Sequence, residues 1–127
     1  DIYIAGIDDV STEMDDAKSV AAQVNSKDFV IFLAHNPSVI SSSLLLTDRN
    51  GRGNWFDLGL FGHTHGGQIP FLEEAFNFNG VPSRYESGLL LENRSWLLIS
   101  RGVGTTGLPA RLFCQPEIHL ITVQSGT

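Results

Sequence analysis

A run of six consecutive apolar residues, Phe29–Ala34, constrains the fold of this chain more than any other feature. Such a run is typical of a strand that is buried on both faces, as in a parallel sheet covered by helices. Ile2–Ile7 predicts an earlier strand, and a capping-box pattern at Thr12 and Asp15 predicts a helix over Glu13–Asn25. The apolar residues of that helix recur with helical spacing: Met14, Ala17, Val20, Ala21 and Val24. Strand, helix and strand in this order predict a parallel unit with a crossover helix.

The rest of the chain predicts a compact α/β unit. In order, we expect a short helix over Pro37–Leu46, a polar turn over Asp48–Asn54, a buried strand over Asp57–Phe61, a long surface loop over Ile69–Ser87, a hairpin formed by Leu89–Leu91 and Trp96–Ile99, and a final strand over Glu117–Val123. Residues 1–127 are therefore expected to form a single domain or half-domain with a mixed sheet and flanking helices.

Composition excludes several functional classes. With 42% hydrophobic and 17% charged residues, the chain is too apolar to be disordered. A net charge of −6 disfavours nucleic acid as a partner, because such binding needs clustered lysine and arginine. An acidic protein that handles phosphates must obtain positive charge elsewhere, usually from a bound metal. The single cysteine, Cys114, excludes an intrachain disulfide and a cysteine-based zinc site.

Three of the four histidines follow apolar strands at their C-terminal ends. His35 comes after the first buried strand, and His63 and His65 come after the second, where the ligand crevice of an open α/β sheet lies. If the backbone there is extended, His63 and His65 point the same way and can contact one metal or two neighbouring ones. His119 lies within the predicted final strand without polar neighbours, so we expect a structural role for it.

These residues occur in motifs that resemble a known family. His35-Asn36-Pro37 after a buried strand, followed by the Gly-His-Thr-His-Gly-Gly-Gln motif of residues 62–68, resembles the C-terminal half of a calcineurin-like metallophosphoesterase. Asp8-Asp9, Arg101–Pro109 and Pro116–Ile118 are similar to the bacterial branch of membrane-associated phosphodiesterases. The motifs stand in family order and span nearly the whole chain.

The resemblance implies a dinuclear metal hydrolase on a four-layer αββα sandwich. His35 and His63 would ligate one divalent cation and His65 the other, with zinc, manganese or iron as suitable metals. The substrate would be a phosphate mono- or diester, lipid- or nucleotide-linked, with Asn36 and Arg101 as substrate-binding residues. Arg111 is an alternative phosphate partner, and a surface salt bridge is the alternative role for either arginine.

The chain also departs from the family. The Asp-x-His, Gly-Asp and Gly-Asn-His-Asp motifs of the family's first half do not occur. We therefore expect about half of a metal site and no activity from this chain alone, with the N-terminal half of the protein as its missing partner. A start at Asp1 directly before a strand favours an excised piece. The family's frequent N-terminal membrane anchor would lie outside it, leaving a bacterial cytoplasmic or membrane-associated location open.

Other interpretations stay open. One is a mononuclear zinc hydrolase in which His35, His63 and His65 bind one ion, since three histidines and a water form an accepted catalytic set. Another is a non-catalytic interaction module with vestigial histidines. Residues 102–107 match the dinucleotide pattern Gly-x-Gly-x-x-Gly, but Pro109 and the absence of an acid about 20 residues further on argue against that function.

The low share of charged residues also predicts that one sheet face is uncovered. We therefore expect this chain alone to form a homodimer.

Overall fold

The computed structural model describes residues 1–69 and 81–126. Its strands and helices are β1 (Ile2–Gly6), α1 (Ala17–Ala21), β2 (Phe29–Leu33), α2 (Ile40–Ser43), β3 (Leu58–Phe61), β4 (Gly88–Glu92) and β5 (Ser95–Ile99). Single turns of 3-10 helix lie at Val10–Thr12, Pro37–Val39, His65–Gly67 and Ser83–Tyr85. The five strands form one mixed sheet in the order β1-β2-β3-β5-β4, in which the β4–β5 hairpin is antiparallel. The predicted α/β class, the mixed sheet and the hairpin are confirmed.

The predicted parallel unit is present, but its helix is shorter than expected. β1 and β2 pair in parallel with Ile4 opposite Ile31. The capping box is wrong: Thr12 belongs to a 3-10 turn, and Glu13 adopts a left-handed φ of 56° that breaks the helical path. Asp16 caps α1 instead, because its side chain accepts a hydrogen bond from the Ser19 N–H.

The hydrophobic core lies on one face of the sheet. Val30 and Phe32 of β2 are fully buried there, together with Leu97 and Ile99 of β5. The core is completed by residues of the connecting segments: Ala21, Val24, Val39, Ile40, Trp55, Phe56 and Tyr85. The ring of Phe32 packs edge-on against Trp55 at a centroid distance of 4.9 Å. Val30, Phe32 and Ala34 of the apolar run are therefore buried on this face, whereas Leu33 on the other face is 38% exposed. The predicted burial of this strand on both faces is wrong for the described chain, because no layer formed by the described residues covers the second face.

The opposite face of the same sheet is also apolar, yet much of it is exposed. Strand alternation and register place the following residues on it: Ile2, Ile4, Phe29, Ile31, Leu33, Leu58, Leu60, Leu89, Leu91, Trp96 and Leu98. We call this set the open face. Ile4 is 71% exposed and Trp96 is 48% exposed. Exposure of large apolar side chains on adjacent strands marks a surface that normally contacts other protein.

The predicted final strand is wrong. Residues 117–123 form no strand, although their sequence alternates. Instead residues 118–124 run beside the open face and, with Phe29, Leu58 and Trp96, line a cleft of about 760 Å³. A strand needs a neighbouring backbone for its hydrogen bonds, and a segment that lies against a sheet face has none there. Ile118 and Leu120 of this segment are 87% and 97% exposed.

The connections on the helical side agree more closely with expectation. A 3-10 turn starting at Pro37 leads into α2. The predicted helix over Pro37–Leu46 is therefore present, but it begins as a 3-10 turn and is shorter than predicted. Asp48 organises the predicted polar turn by accepting hydrogen bonds from the backbone N–H groups of Asn50 and Arg52. Of the predicted loop over Ile69–Ser87, residues 70–80 lie outside the described residues. Its described end contains Tyr85, which is fully buried rather than at the surface.

Across the described residues, no helix has the length and apolar character that crossing a membrane requires.

Candidate metal centre

The carboxyl ends of neighbouring strands bring two histidines and one aspartate to one edge of the sheet. Asp9 follows β1, His35 follows β2 and His63 follows β3. These three strands are adjacent and parallel, so their carboxyl ends share one edge. The backbone continues this arrangement beyond the strands, because the Gly62 N–H donates to the His35 carbonyl at 3.0 Å. The prediction that separate strands deliver histidines to this edge is therefore confirmed.

His35 and His63 form a close pair. The Nε2 atom of His35 lies 3.2 Å from Nδ1 of His63, and the two rings meet edge-on at a centroid distance of 5.0 Å. Zinc–imidazole bonds of about 2.0–2.1 Å in tetrahedral geometry place two ligand nitrogens about 3.3 Å apart. The observed separation therefore fits two imidazoles on one cation. Without a cation, the same distance allows one ring to donate a hydrogen bond to the other.

The electrostatics of this pair involve Asp9. Burial lowers the pKa of His63, the neighbouring His35 lowers it further, and Asp9 opposes both effects. The pKa of Asp9 itself is lowered, mainly by hydrogen bonds from Ser11 and in smaller part by the two histidines. A neutral imidazole is the ligating form, so a lowered pKa favours metal binding at neutral pH. Asp9 adds negative charge beside the pair.

The histidine loop is not extended. His63 and His65 both have left-handed backbone, with φ of 67° and 51°, and Gly66 and Gly67 continue at 61° and 73°. The expectation that His63 and His65 point the same way in extended backbone is therefore wrong. The loop turns sharply because the Thr64 side chain accepts from the Gly66 N–H and Gly67 N–H donates to the Thr64 carbonyl.

His65 occupies a separate position. Its Nδ1 atom lies 3.2 Å from the carbonyl oxygen of Gly104, on the segment that follows β5. Within residues 1–69 and 81–126, no group of three or more histidine, cysteine, aspartate or glutamate side chains converges to hold a metal. This geometry gives no support to a single ion bound by His35, His63 and His65 together.

The back of the histidine loop is held by buried side chains. Gln68, fully buried, accepts from the Thr106 N–H and donates to the carbonyls of Thr106 and Leu108. The Sγ atom of Cys114, also buried, lies 3.1 Å from the carbonyl oxygens of both His65 and Gly66, which share its single S–H donor. These hydrogen bonds connect the loop after β3 to the segment after β5. They therefore restrict the backbone positions of His63 and His65.

Both glycines of this loop have positive φ, and Gly66 is also required by the space around it, whereas Gly67 faces only the movable carboxylate end of Glu86. A Cβ on Gly66 would meet the side chain of Arg101 and lie 2.7 Å from Sγ of Cys114. A Cβ on Gly67 would meet the carboxylate of Glu86. With positive φ at both positions, glycine is the residue that fits without strain.

The residues predicted to bind substrate have partners within the chain. Asn36 is buried, and its Oδ1 accepts from the Ser38 N–H to cap the 3-10 turn. Arg101 forms a salt bridge with Glu117 at 2.7 Å, which is the alternative role foreseen for it. Neither arrangement tests a substrate role, so both residues stay predictions. His119 was expected to lack polar neighbours, but its Nε2 lies 3.3 Å from Glu117.

Asp9 and Gln68 both lie in motifs that carry the family resemblance, but the sequence assigned neither of them a role at this site. Asp9 could have been found by applying to β1 the strand-end rule that identified the histidines. Gln68 carries no such signal, because its role depends on Thr106, 38 positions along the chain.

The amino-acid sequence of this chain is similar to those of several bacterial proteins. The protein YpbG of Bacillus subtilis is 35% identical over 96% of this chain and 42% of its own length. YkuE of the same organism, described as an uncharacterized metallophosphoesterase, is 32% identical over 98% of the chain and 41% of its length. The phosphodiesterase YaeI of Escherichia coli is 37% identical over 72% of the chain and 31% of its length.

No family model matches the chain, and no solved structure matches it. The chain spans less than half the length of the curated relatives it matches. Its fold, a five-stranded mixed sheet with few helices, is consistent with part of a metallophosphoesterase fold. The chain is therefore homologous to part of bacterial metallophosphoesterases.

Proposed function

We propose that the whole protein is a metal-dependent phosphoester hydrolase and that this chain carries part of its dinuclear metal site. The observation that carries the proposal is the pair of imidazoles from β2 and β3, whose nitrogens are 3.2 Å apart. Homology to proteins described as metallophosphoesterases and as a phosphodiesterase supports the same reaction class.

In this proposal the chain's own residues bind and orient. His35 and His63 hold one divalent ion, and His65 holds a second. When bound, two such ions supply charge stabilisation for the phosphoryl group and a nucleophile at neutral pH. Asn36 and Arg101 are the proposed contacts to a phosphate mono- or diester. Because Arg101 also pairs with Glu117, binding a phosphate would require the guanidinium to serve both groups.

The remaining ligands are proposed to come from residues beyond this chain. The relatives are more than twice as long as the region matched by this chain. An N-terminal half would supply the carboxylate ligands that this chain lacks. The same half would cover the open face, because two sheets packed face to face bury a layer about 10 Å thick. The chain alone would then lack both a bridging ligand and a covering sheet.

The experiment compares the whole protein with this chain alone. Each is purified metal-free, loaded with zinc, manganese or iron, and assayed with an aryl phosphodiester and an aryl phosphomonoester. We expect turnover by the whole protein that a chelator abolishes, two metals bound per molecule, and no turnover by the chain alone. His35→Ala should abolish turnover, whereas the control His119→Gln should not. Stoichiometry of one metal would favour the mononuclear alternative, and no metal with no turnover would favour an interaction module.

A further inference from the structure

The guanidinium of Arg111 is directed at backbone carbonyls around the histidine loop. Its NH1 group donates to the carbonyl of His65 at 3.1 Å. Its NH2 group donates to the carbonyl of Arg101 at 2.6 Å and also to that of Gly104. Its Nε donates to the same Gly104 oxygen at 2.9 Å. All three nitrogens are therefore engaged with the backbone, which makes Arg111 a poor candidate for the phosphate contact considered from the sequence.

The Gly104 carbonyl that Arg111 holds is also the partner of His65. A carbonyl oxygen can only accept a hydrogen bond, so at 3.2 Å the Nδ1 atom of His65 must be the donor. In a neutral imidazole, a proton on Nδ1 places the lone pair on Nε2. Metal-ligating histidines commonly donate their other ring N–H to a carbonyl in this way, which fixes tautomer and ring orientation.

We propose that Arg111 is a positioning residue that sets His65 for metal ligation through Nε2. It acts at two points: it holds the backbone of His65 directly, and it fixes the Gly104 oxygen that orients the imidazole. The proposal rests on the proposed function, because it assumes that His65 serves a metal ion. Its hold on the tautomer of His65, however, exists in the metal-free protein and is measurable there.

The closest alternative is that Arg111 only joins two loops. Gln68 and Cys114 already connect the same loops, through Thr106, Leu108 and the carbonyls of His65 and Gly66. A purely structural Arg111 would therefore be partly redundant, and its removal would lower stability without changing the tautomer of His65. The tautomer is the readout that separates the two roles.

The experiment uses the whole protein as wild type, Arg111→Gln and Arg111→Lys, with Arg94→Gln in the β4–β5 turn as a matched control for loss of one arginine. Two-bond proton–nitrogen NMR of the metal-free proteins reports the tautomer of each histidine. Zinc titration then reports the affinity of each site. We expect wild-type His65 to carry its proton on Nδ1.

In Arg111→Gln we expect a mixture of His65 tautomers and about 10- to 100-fold weaker zinc binding at one site, the range seen when partners of metal ligands are removed. Lysine can reach one carbonyl but not three, so Arg111→Lys should be intermediate, and Arg94→Gln should match wild type. The proposal is overturned if wild-type His65 carries its proton on Nε2, a result that does not depend on whether Arg111→Gln folds. It is also overturned if Arg111→Gln folds and keeps the wild-type His65 tautomer and zinc affinity. A wild type that binds no zinc overturns the proposed function instead, and the NMR result then decides whether Arg111 holds His65.

Discussion

His35 and His63 are 28 positions apart in the chain, yet their ring nitrogens Nε2 and Nδ1 lie 3.2 Å from each other. The contact exists because β2 and β3 are adjacent parallel strands that end at the same edge. It gives the first of five predictions. Changing His63 to Ala in the whole protein should lower kcat/KM by at least about three orders of magnitude, which corresponds to about 4 kcal/mol of transition-state stabilisation.

The free energy of unfolding of the metal-free His63→Ala protein should change by less than about 1 kcal/mol, because the imidazole lies at the sheet edge outside the core. Steady-state kinetics and urea unfolding measure the two effects. An His63→Ala protein that keeps most of its activity with metals bound would contradict the assignment of His63 as a ligand.

Metal binding should depend on pH through the histidines. Protons and metal compete for the same imidazole nitrogens, so zinc binding should fade as pH falls below about 6.5. Burial and the neighbouring His35 lower the pKa of His63. Protons therefore displace a metal from His63 only at a lower pH than from an ordinary histidine. Calorimetric titrations at about pH 7.5 and about pH 5 test this, and equal affinity at both would rule out histidine ligation.

Stability should depend on acid pH through Glu117. Hydrogen bonds from Arg101 lower the pKa of this carboxyl from 4.5 to about 2. A pKa lower in the folded than in the unfolded state gives stability that is present above about pH 4.5 and is lost as pH falls through about 2. Glu117→Gln should cost at most about 1 kcal/mol at pH 7, because Arg101 is 36% exposed and water screens the pair.

Urea unfolding of wild type and Glu117→Gln from neutral pH down to about pH 2 measures this effect. The difference between them should shrink towards the acid end, with Glu13→Gln as a control for loss of one exposed carboxylate. A difference that stays constant over this range would show that the pair contributes nothing to the pH dependence.

The fourth prediction compares two glycines with positive φ. Gly51 (φ 73°) has open space where a Cβ would stand, whereas Gly66 (φ 61°) faces Arg101 and Cys114. Gly51→Ala should cost about 1–2 kcal/mol from the left-handed backbone alone. Gly66→Ala should cost about 1–3 kcal/mol more through steric overlap, and should also weaken metal binding by displacing the histidine loop. Equal losses of unfolding free energy would mean that the neighbours of Gly66 relax without cost.

The fifth prediction concerns the open face when this chain is produced alone. Its exposed apolar side chains should drive self-association, for which a symmetric dimer is the simplest closed form. Ile4→Lys places a charge on this face and should shift the chain towards monomer. Leu45→Lys is the control, since Leu45 is 80% exposed and follows α2 rather than lying on the sheet. Light scattering that shows a wild-type monomer at high concentration would remove the basis for the dimer.

Strands with strong local signals were predictable from the sequence. The apolar run of β2 and the hairpin of β4 and β5 lie where expected, because a run of apolar residues and a short turn are local signals. The predicted burial of β2 on both faces is not observed, since Leu33 is 38% exposed on the open face. Helix α1 was predicted too long, since Asp16 rather than Thr12 caps it and Glu13 turns left-handed. The extent of residues 1–127 as one domain or half-domain stays a prediction.

The sequence by itself determined that His35 and His63 follow parallel strands. The end of a strand is a local property, which the pattern of apolar residues and the position of a glycine indicate. Only the tertiary structure decided that these rings are a close pair and that His65 turns instead towards Gly104. It also decided that residues 117–123 form no strand and that residues 118–124 run beside the open face. Sheet order and loop hydrogen bonds depend on residues far apart in the chain, and local periodicity carries no information about which of them meet.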